Sequence, residues 1–144
     1  MDVAAVERPQ SALTHEGAAE VFKLAEKQPV RIKRRGEQPD EVLLSYDRYE
    51  AEQRFLQNLL LVARSLAKGP EQMPDLEGMH WTKLFTVEDR SSMLLELIEA
   101  ARASLERKDA TIFNRTWKAW FRSAEVMNDP AALAALTAPV RVKK

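Results

Sequence analysis

The sequence predicts an α+β fold, in which a small antiparallel sheet with its helices is followed by an all-helical C-terminal unit. The segment Val30–Arg35 alternates apolar and basic side chains, as a strand with one buried face does. The apolar run Val42–Leu44 follows a turn at residues 36–40, so the two segments together predict a hairpin. Residues 46–68 place apolar side chains at helical spacing, and every later patterned segment is also helical.

The first half is predicted to run as a short strand, a helix, the hairpin and the long helix. Ser11–Thr14 is the predicted first strand. Thr14 or His15 immediately precedes the first helix, which is predicted to continue through Lys27, shortly before a proline. Ser45 is a suitable N-cap for the long helix, because its hydroxyl can accept a hydrogen bond from an otherwise unpaired backbone N–H.

The second half carries start signals for further helices. Thr86 is followed three residues later by an acid, which resembles a capping box. Another helix is expected to begin near Asp109. Asp129 precedes Pro130, an N-cap followed by proline at the first helical position, and this pair predicts a short last helix.

The predicted organisation is two domains, at residues 1–68 and 81–144. The stretch 69–80 between them contains two prolines and two glycines, which is typical of a linker. An ordered loop lying over the core explains the same composition, so both interpretations remain open from the sequence.

Composition narrows the protein class. Lysine plus arginine and aspartate plus glutamate each number 22 among 144 residues, so the chain has no net charge. It contains no cysteine, which excludes disulfides, thiolate chemistry and zinc ribbons. No apolar run approaches the roughly 20 residues of a membrane span. The N-terminus lacks a secretory signal, so the sequence predicts a cytoplasmic protein without a membrane partner.

No motif in the sequence points to catalysis. The two histidines, His15 and His80, do not lie at metal-ligand spacing, and the four glycines are isolated rather than grouped in a phosphate-binding loop. No group of nucleophile, base and acid is recognisable. The sequence therefore predicts a protein that is not an enzyme and has no metal or cofactor.

The best candidate functional site is a cluster of basic residues at the hairpin. Four cations occur within five positions of an otherwise neutral chain: Arg31, Lys33, Arg34 and Arg35. The planar fork of arginine pairs with phosphate or with a guanine edge, which indicates nucleic acid. A solvated hairpin edge is the alternative, because basic side chains also discourage strands from pairing between molecules.

The second candidate site is an aromatic stripe at helical spacing. Its members are Phe113, Trp117, Trp120 and Phe121. Such a stripe is commonly core, but aromatic side chains also anchor protein partners. Trp117, Trp120 and Phe121 are therefore the candidate partner-binding residues.

The long helix also predicts self-association. Between Ser45 and Lys68 it carries apolar residues around well over half of its circumference, more than one sheet could cover. A symmetric pairing of two chains would bury the excess, so we expect a homodimer.

The first half resembles the prevent-host-death (Phd/YefM) antitoxin family. Residues 30–36 read Val-Arg-Ile-Lys-Arg-Arg-Gly, close to the family pattern of valine-x-isoleucine-threonine-arginine-x-glycine. An apolar strand follows, and then a serine-capped helix containing Tyr46 and Tyr49. The likeness covers about residues 11–66, somewhat under half of the chain.

This resemblance implies a homodimeric autorepressor that binds its own operator DNA. It also implies a C-terminal part that neutralises a partner toxin, often an RNA-cleaving one. DNA contact is then carried first by Arg34, with Arg31, Lys33 and Arg35 beside it and with Thr14 and His15 near the start of the first helix.

Two departures from the family pattern support a second interpretation. The first helix lacks the arginine that the family often has there, and the turn at residues 37–41 is longer and more acidic, which partly offsets the cations. The missing arginine, together with the large aromatic helical second half, motivates the alternative of an interaction adaptor that keeps the fold without binding DNA. The repressor hypothesis requires the arginine forks to point outward, and intramolecular carboxylate pairs would contradict it.

Overall fold

A computed structural model describes residues 6–14 and 17–139 of the chain. It divides into two compact units that meet in sequence between Glu50 and Ala51. This boundary falls inside the long helix and differs from the expected linker at residues 69–80. The predicted functional domains therefore remain a prediction, and each unit is described here by itself.

The first unit contains a three-stranded mixed sheet with one helix against it. The strand order is β1-β2-β3; β1 is parallel to β2, and β2 is antiparallel to β3. The elements are β1 (Val6–Pro9), α1 (Ala18–Lys27), β2 (Val30–Lys33) and β3 (Glu41–Leu43).

The α+β class is confirmed, but the expectation of a wholly antiparallel sheet is wrong. Helix α1 connects β1 to β2, and such a crossover brings two strands together in the same direction. The predicted first strand at Ser11–Thr14 is also wrong, because Gln10–Leu13 forms a 3₁₀ turn and the strand lies before it. Helix α1 begins at Ala18, later than expected, and His15 lies outside the described residues.

The small core of this unit is built from alternate residues of β2. Val30 and Ile32 are fully buried against Val21 and Ala25 of α1, whereas the basic residues between them are exposed. The turn after β2 contains Gly36 at a φ of +77°, a left-handed angle that glycine adopts without steric cost. The alternation predicted for this strand is therefore confirmed.

Four helices follow β3, and their predicted caps are present. Ser45, Thr86 and Asp129 each accept a hydrogen bond from a first-turn backbone N–H, at 3.3, 3.1 and 3.0 Å. These bonds satisfy donors that would otherwise lack a partner. The helices are α2 (Tyr46–Lys68), α3 (Val87–Arg107), α4 (Thr111–Asn128) and α5 (Pro130–Thr137).

The stretch between α2 and α3 packs as an ordered loop rather than an open linker. Met73, Leu76 and Met79 are buried in the core of the helical unit, together with residues of α2, α3 and α4. Phe113 of α4 lies at the centre of this core, fully buried, with its ring 5.1 Å from that of Phe55. Of the two interpretations left open by the sequence, the ordered loop describes this stretch.

One buried arginine ties this loop to α3. The guanidinium group of Arg90 donates hydrogen bonds to the backbone carbonyls of Thr82, Pro70 and Lys83, at 3.0, 3.2 and 3.1 Å. Charged donors form stronger hydrogen bonds than neutral ones. Arg90 supplies a donor to the carbonyls of Pro70 and Lys83, and a second donor to that of Thr82, which also accepts from the Phe85 backbone N–H at 3.1 Å. The loop is therefore held at both of its ends by a single side chain.

We expect Arg90→Met to lower the free energy of unfolding by about 2–5 kcal/mol, because it keeps the apolar volume but removes the arginine donor from the partly buried carbonyls of Pro70 and Lys83 and one of the two donors to that of Thr82. Urea unfolding of the full chain measures the loss. Arg107→Met, an exposed arginine on the same helix, is the matched control, with an expected change within about 0.5 kcal/mol. Equal effects of the two substitutions would contradict this role.

Candidate nucleic-acid interface and partner-binding grooves

The two basic residues of β2, Arg31 and Lys33, are exposed, and both are engaged by carboxylates. Arg31 donates through Nε and Nη2 to Asp40 Oδ2 at 2.9 and 2.8 Å, and its Nη1 lies 3.2 Å from Glu7 Oε1. Lys33 Nζ lies 2.7 Å from the other oxygen of Glu7. Glu7 belongs to β1, whose parallel register places it opposite Arg31.

Arg34 is also paired within the hairpin. Its Nη1 donates to Glu41 Oε1 at 3.1 Å, and its backbone N–H donates to Asp40 Oδ1 at the same distance. Its side chain is only 28% exposed. Arg35 differs, because it is exposed and forms no hydrogen bond or ion pair with any residue that the structure describes.

The two carboxylates at the centre of this network are held in their charged form. The hydrogen bond from the Arg34 backbone N–H, followed by that from Arg31, lowers the pKa of Asp40 below its ordinary value. The hydrogen bond from Lys33 lowers the pKa of Glu7 in the same way. At neutral pH the cations of β2 therefore face ionised partners, and this edge carries much less positive charge than the sequence suggests.

The expectation of outward, unpaired arginine forks is therefore wrong for Arg31 and Arg34. Their assignment to DNA contact remains a prediction. The acidic turn was expected to offset the cations, and its residues Asp40 and Glu41 do pair with them. The part played by Glu7 was not foreseen, because β1 was not recognised as a strand.

Three of the predicted DNA-binding residues line one shallow depression in the first unit. Thr14, Lys33 and Arg35 meet there beside the 3₁₀ turn, around a volume of about 360 Å³. Arg35 is its one cation without a partner among the described residues. His15, predicted beside Thr14, lies outside the described residues.

A groove between α2 and α3 is lined almost entirely by aliphatic side chains. It encloses about 350 Å³. Among the described residues that line it, Arg102 and Glu106 are the charged ones, and they pair with each other at 2.9 Å. The remaining lining is aliphatic: Leu59, Val62, Ala63, Leu66, Ile98, Ala101 and Leu105. Leu66 and Leu105 are 50% and 44% exposed, so the groove is an open apolar surface without net charge.

A second groove, between α2 and α4, contains two of the three predicted partner-binding aromatics. Trp117 and Phe121 line it, around a volume of about 470 Å³. The ring of Trp81 lies 5.5 Å from that of Trp117 and 5.3 Å from that of Phe121. Both contacts are edge-to-face, and they fix the positions of the two rings. The other lining residues are polar or basic: Arg54, Asn58, Thr111, Asn114, Arg115 and Lys118.

Trp120, the third predicted partner-binding residue, does not line this groove. Its ring packs against Phe85 at 5.5 Å, and its Nε1 donates to Glu96 Oε2 at 2.8 Å. The aromatic stripe is therefore divided, because Phe113 and Trp120 serve packing while Trp117 and Phe121 border open space. Sequence reasoning missed Arg115 and Lys118, whose signal was two cations three residues apart flanking Trp117.

Comparisons of the chain with models of known protein families, with curated proteins and with solved structures find no match. Within the described ranges, no group of acidic and histidine side chains is arranged to hold a metal ion. In the same part of the chain, no helix combines the length and the apolar character needed to cross a membrane.

We expect folding stability to fall on acidification more steeply in the wild type than in Asp40→Asn. A carboxylate whose pKa is lowered by folding stabilises the fold above its unfolded pKa, and this stabilisation is lost as the pH falls through the folded pKa. Urea unfolding midpoints between neutral pH and about pH 3 measure it. Glu37→Gln, an exposed neighbour in the same turn, is the control and should follow the wild type. Parallel curves for wild type and Asp40→Asn would contradict the pairing.

Proposed function

We propose that this chain is an antitoxin-like interaction protein, which forms a homodimer and binds a partner protein through its helical unit. The element order of the first unit supports the proposal. Helix α1, the strand and glycine turn, β3 and a helix capped by Ser45 follow one another as the prevent-host-death resemblance implies. The partner that the resemblance suggests is a toxin.

The observation that carries the proposal is the apolar groove between α2 and α3. Exposed aliphatic side chains grouped on one surface are unfavourable in water, and their burial against another apolar surface lowers the free energy. Such a surface therefore favours association. Arg102 and Glu106 neutralise each other at the groove, so a second copy of the same surface meets no like charge. A two-fold interface requires such a self-complementary surface. We therefore assign this groove to the homodimer.

The charge pairing at the sheet edge explains why protein binding, rather than DNA binding, leads this proposal. Phosphate recognition needs arginine forks that are free to meet it. Arg31 and Arg34 already donate to carboxylates, and a phosphate would have to displace those acids against their own negative charge.

Operator binding carried by Arg35 is the second candidate function. The observation that favours it is the depression in which Thr14, Lys33 and Arg35 meet. The hydroxyl groups of Ser11 and Thr14 beside an unpaired guanidinium are suited to a phosphate group. A homodimer would present this arrangement twice, as a palindromic operator requires.

We expect the wild type to have twice the mass of one chain in solution at micromolar concentration, and Leu66→Glu/Leu105→Glu to be a monomer. The two glutamates would place charge in the apolar groove and repel their counterparts. Light scattering after size-exclusion chromatography measures the mass. Leu95→Glu, a 67% exposed leucine of α3 outside the groove lining, should remain a dimer. A monomeric wild type, or a dimeric double variant, would rule out the assignment.

For the second candidate, we expect Arg35→Glu to lower retention of genomic DNA fragments by about tenfold or more at about 50 mM salt, where phosphate contacts are strongest. Filter retention followed by sequencing measures both affinity and any selected operator. Lys23→Glu, an exposed residue of α1 in the same unit, gives the same charge change away from the depression. The candidate fails if wild type retains no DNA, or if both variants retain as much as it does.

A further inference from the structure

The groove between α2 and α4 differs from the dimer groove in its charge. Three cations line it, Arg54, Arg115 and Lys118, and no carboxylate is among the described lining residues. Arg115 and Lys118 form no ion pair with any described residue. Two copies of this surface would repel each other, so its occupant must be a different molecule carrying negative charge.

The aromatic part of the groove requires an apolar group in the same occupant. Trp117 and Phe121 form one wall, and Phe121 is 38% exposed although it is fixed by the ring of Trp81. Pre-positioned aromatic rings bind an aliphatic or aromatic side chain with little loss of conformational entropy. An anion without an apolar group would leave this wall facing water.

The amide of Asn114 distinguishes a peptide from a phosphate backbone. Its Nδ2 donates to the carbonyl of Ala51 at 3.0 Å, which fixes the side chain, while its Oδ1 is buried without a hydrogen-bond donor among the described residues. A buried acceptor without a donor costs free energy. A peptide N–H can supply that donor with a small adjustment of the groove, whereas a phosphodiester has no hydrogen to donate.

The ring contacts also disfavour nucleic acid. Base stacking needs a whole ring face. Trp117 is stacked on Phe113, with centroids 6.1 Å apart and planes at 28°, and its remaining surface is shared with Trp81. The part of the Trp117 ring that remains uncovered is better suited to contact with an inserted amino-acid side chain than to stacking with a base.

We infer that the α2–α4 groove binds an acidic peptide segment of a protein partner, with carboxylates on Arg115 and Lys118 and an aliphatic or aromatic side chain against Trp117 and Phe121. This inference rests on the proposed protein-binding function and specifies the chemistry of the partner. No lining residue is shared with the α2–α3 groove, so the dimer and this site can be tested separately.

Selection from a random peptide phage library with the full-length wild-type protein tests the inference without a known partner. We expect the selected peptides to be enriched in aspartate and glutamate next to leucine, phenylalanine or tryptophan. Arg115→Glu/Lys118→Glu should select no such peptides, and it should bind a synthetic wild-type-selected peptide at least about tenfold more weakly in fluorescence anisotropy. Arg64→Glu/Lys83→Glu, two exposed cations outside the groove, gives the same charge change and should bind as wild type does.

Circular dichroism melting of each variant verifies that it is folded, and Arg115→Gln/Lys118→Gln, which removes charge without reversing it, should bind with intermediate affinity. Selected peptides without acidic enrichment, or the same peptides from the charge-reversed variant, would overturn the inference while leaving a protein-binding function in place. Binding of oligothymidylate that depends on Arg115 and Lys118 would overturn it in favour of nucleic acid. Failure to select any peptide would overturn it as well, whereas a monomeric wild type would count only against the assigned dimer.

Discussion

The three hydrogen bonds of Arg90 are the interaction on which the helical unit depends. They hold the chain between α2 and α3 against α3, so that its methionines and leucine complete the core. The same stretch contains Trp81, whose Nε1 donates to the carbonyl of Gly78 at 3.0 Å and whose ring supports Trp117 and Phe121. The guanidinium group of Arg90 holds the loop, and Trp81 of that loop contacts the aromatic rings that line the α2–α4 groove. The same side chain therefore stabilises the core and supports the proposed binding site.

Charge compensation decides the character of the first unit. The parallel register of β1 places Glu7 opposite Arg31, and its carboxylate pairs with both Arg31 and Lys33. The turn brings Asp40 and Glu41 to the same edge, where they pair with Arg31 and Arg34. These pairs are exposed, so each adds little stability. Together they engage Arg31, Lys33 and Arg34, and they leave Arg35 as the one cation of this cluster without a partner among the described residues. The net charge of a sequence segment is therefore a poor guide to its electrostatic surface, because carboxylates from elsewhere in the chain can occupy it.

Local signals in the sequence were sufficient for the hairpin and for the caps at Ser45, Thr86 and Asp129, since a cap is decided by the few residues around it. The strand β1 was not predictable in this way. Val6 is its only apolar residue, and a strand of this kind exists only because β2 lies beside it. The grooves could not be predicted from the sequence either. Helical spacing indicates which residues share a face of a helix, but it does not indicate which face another helix covers. The division between Trp117 and Trp120 followed from where α3 offers Glu96 as a hydrogen-bond acceptor.

The two grooves of the helical unit impose different requirements on what fills them. A neutral aliphatic surface is compatible with its own copy, and the internal pair of Arg102 with Glu106 removes the charge that would oppose self-association. The groove that contains Arg115 and Lys118 carries positive charge, so two copies of it would repel each other. The two linings have no residue in common, although both grooves are bordered by α2. The proposed dimer, built on the first groove, would present the second groove twice, and the proposed stoichiometry is one acidic partner segment for each chain.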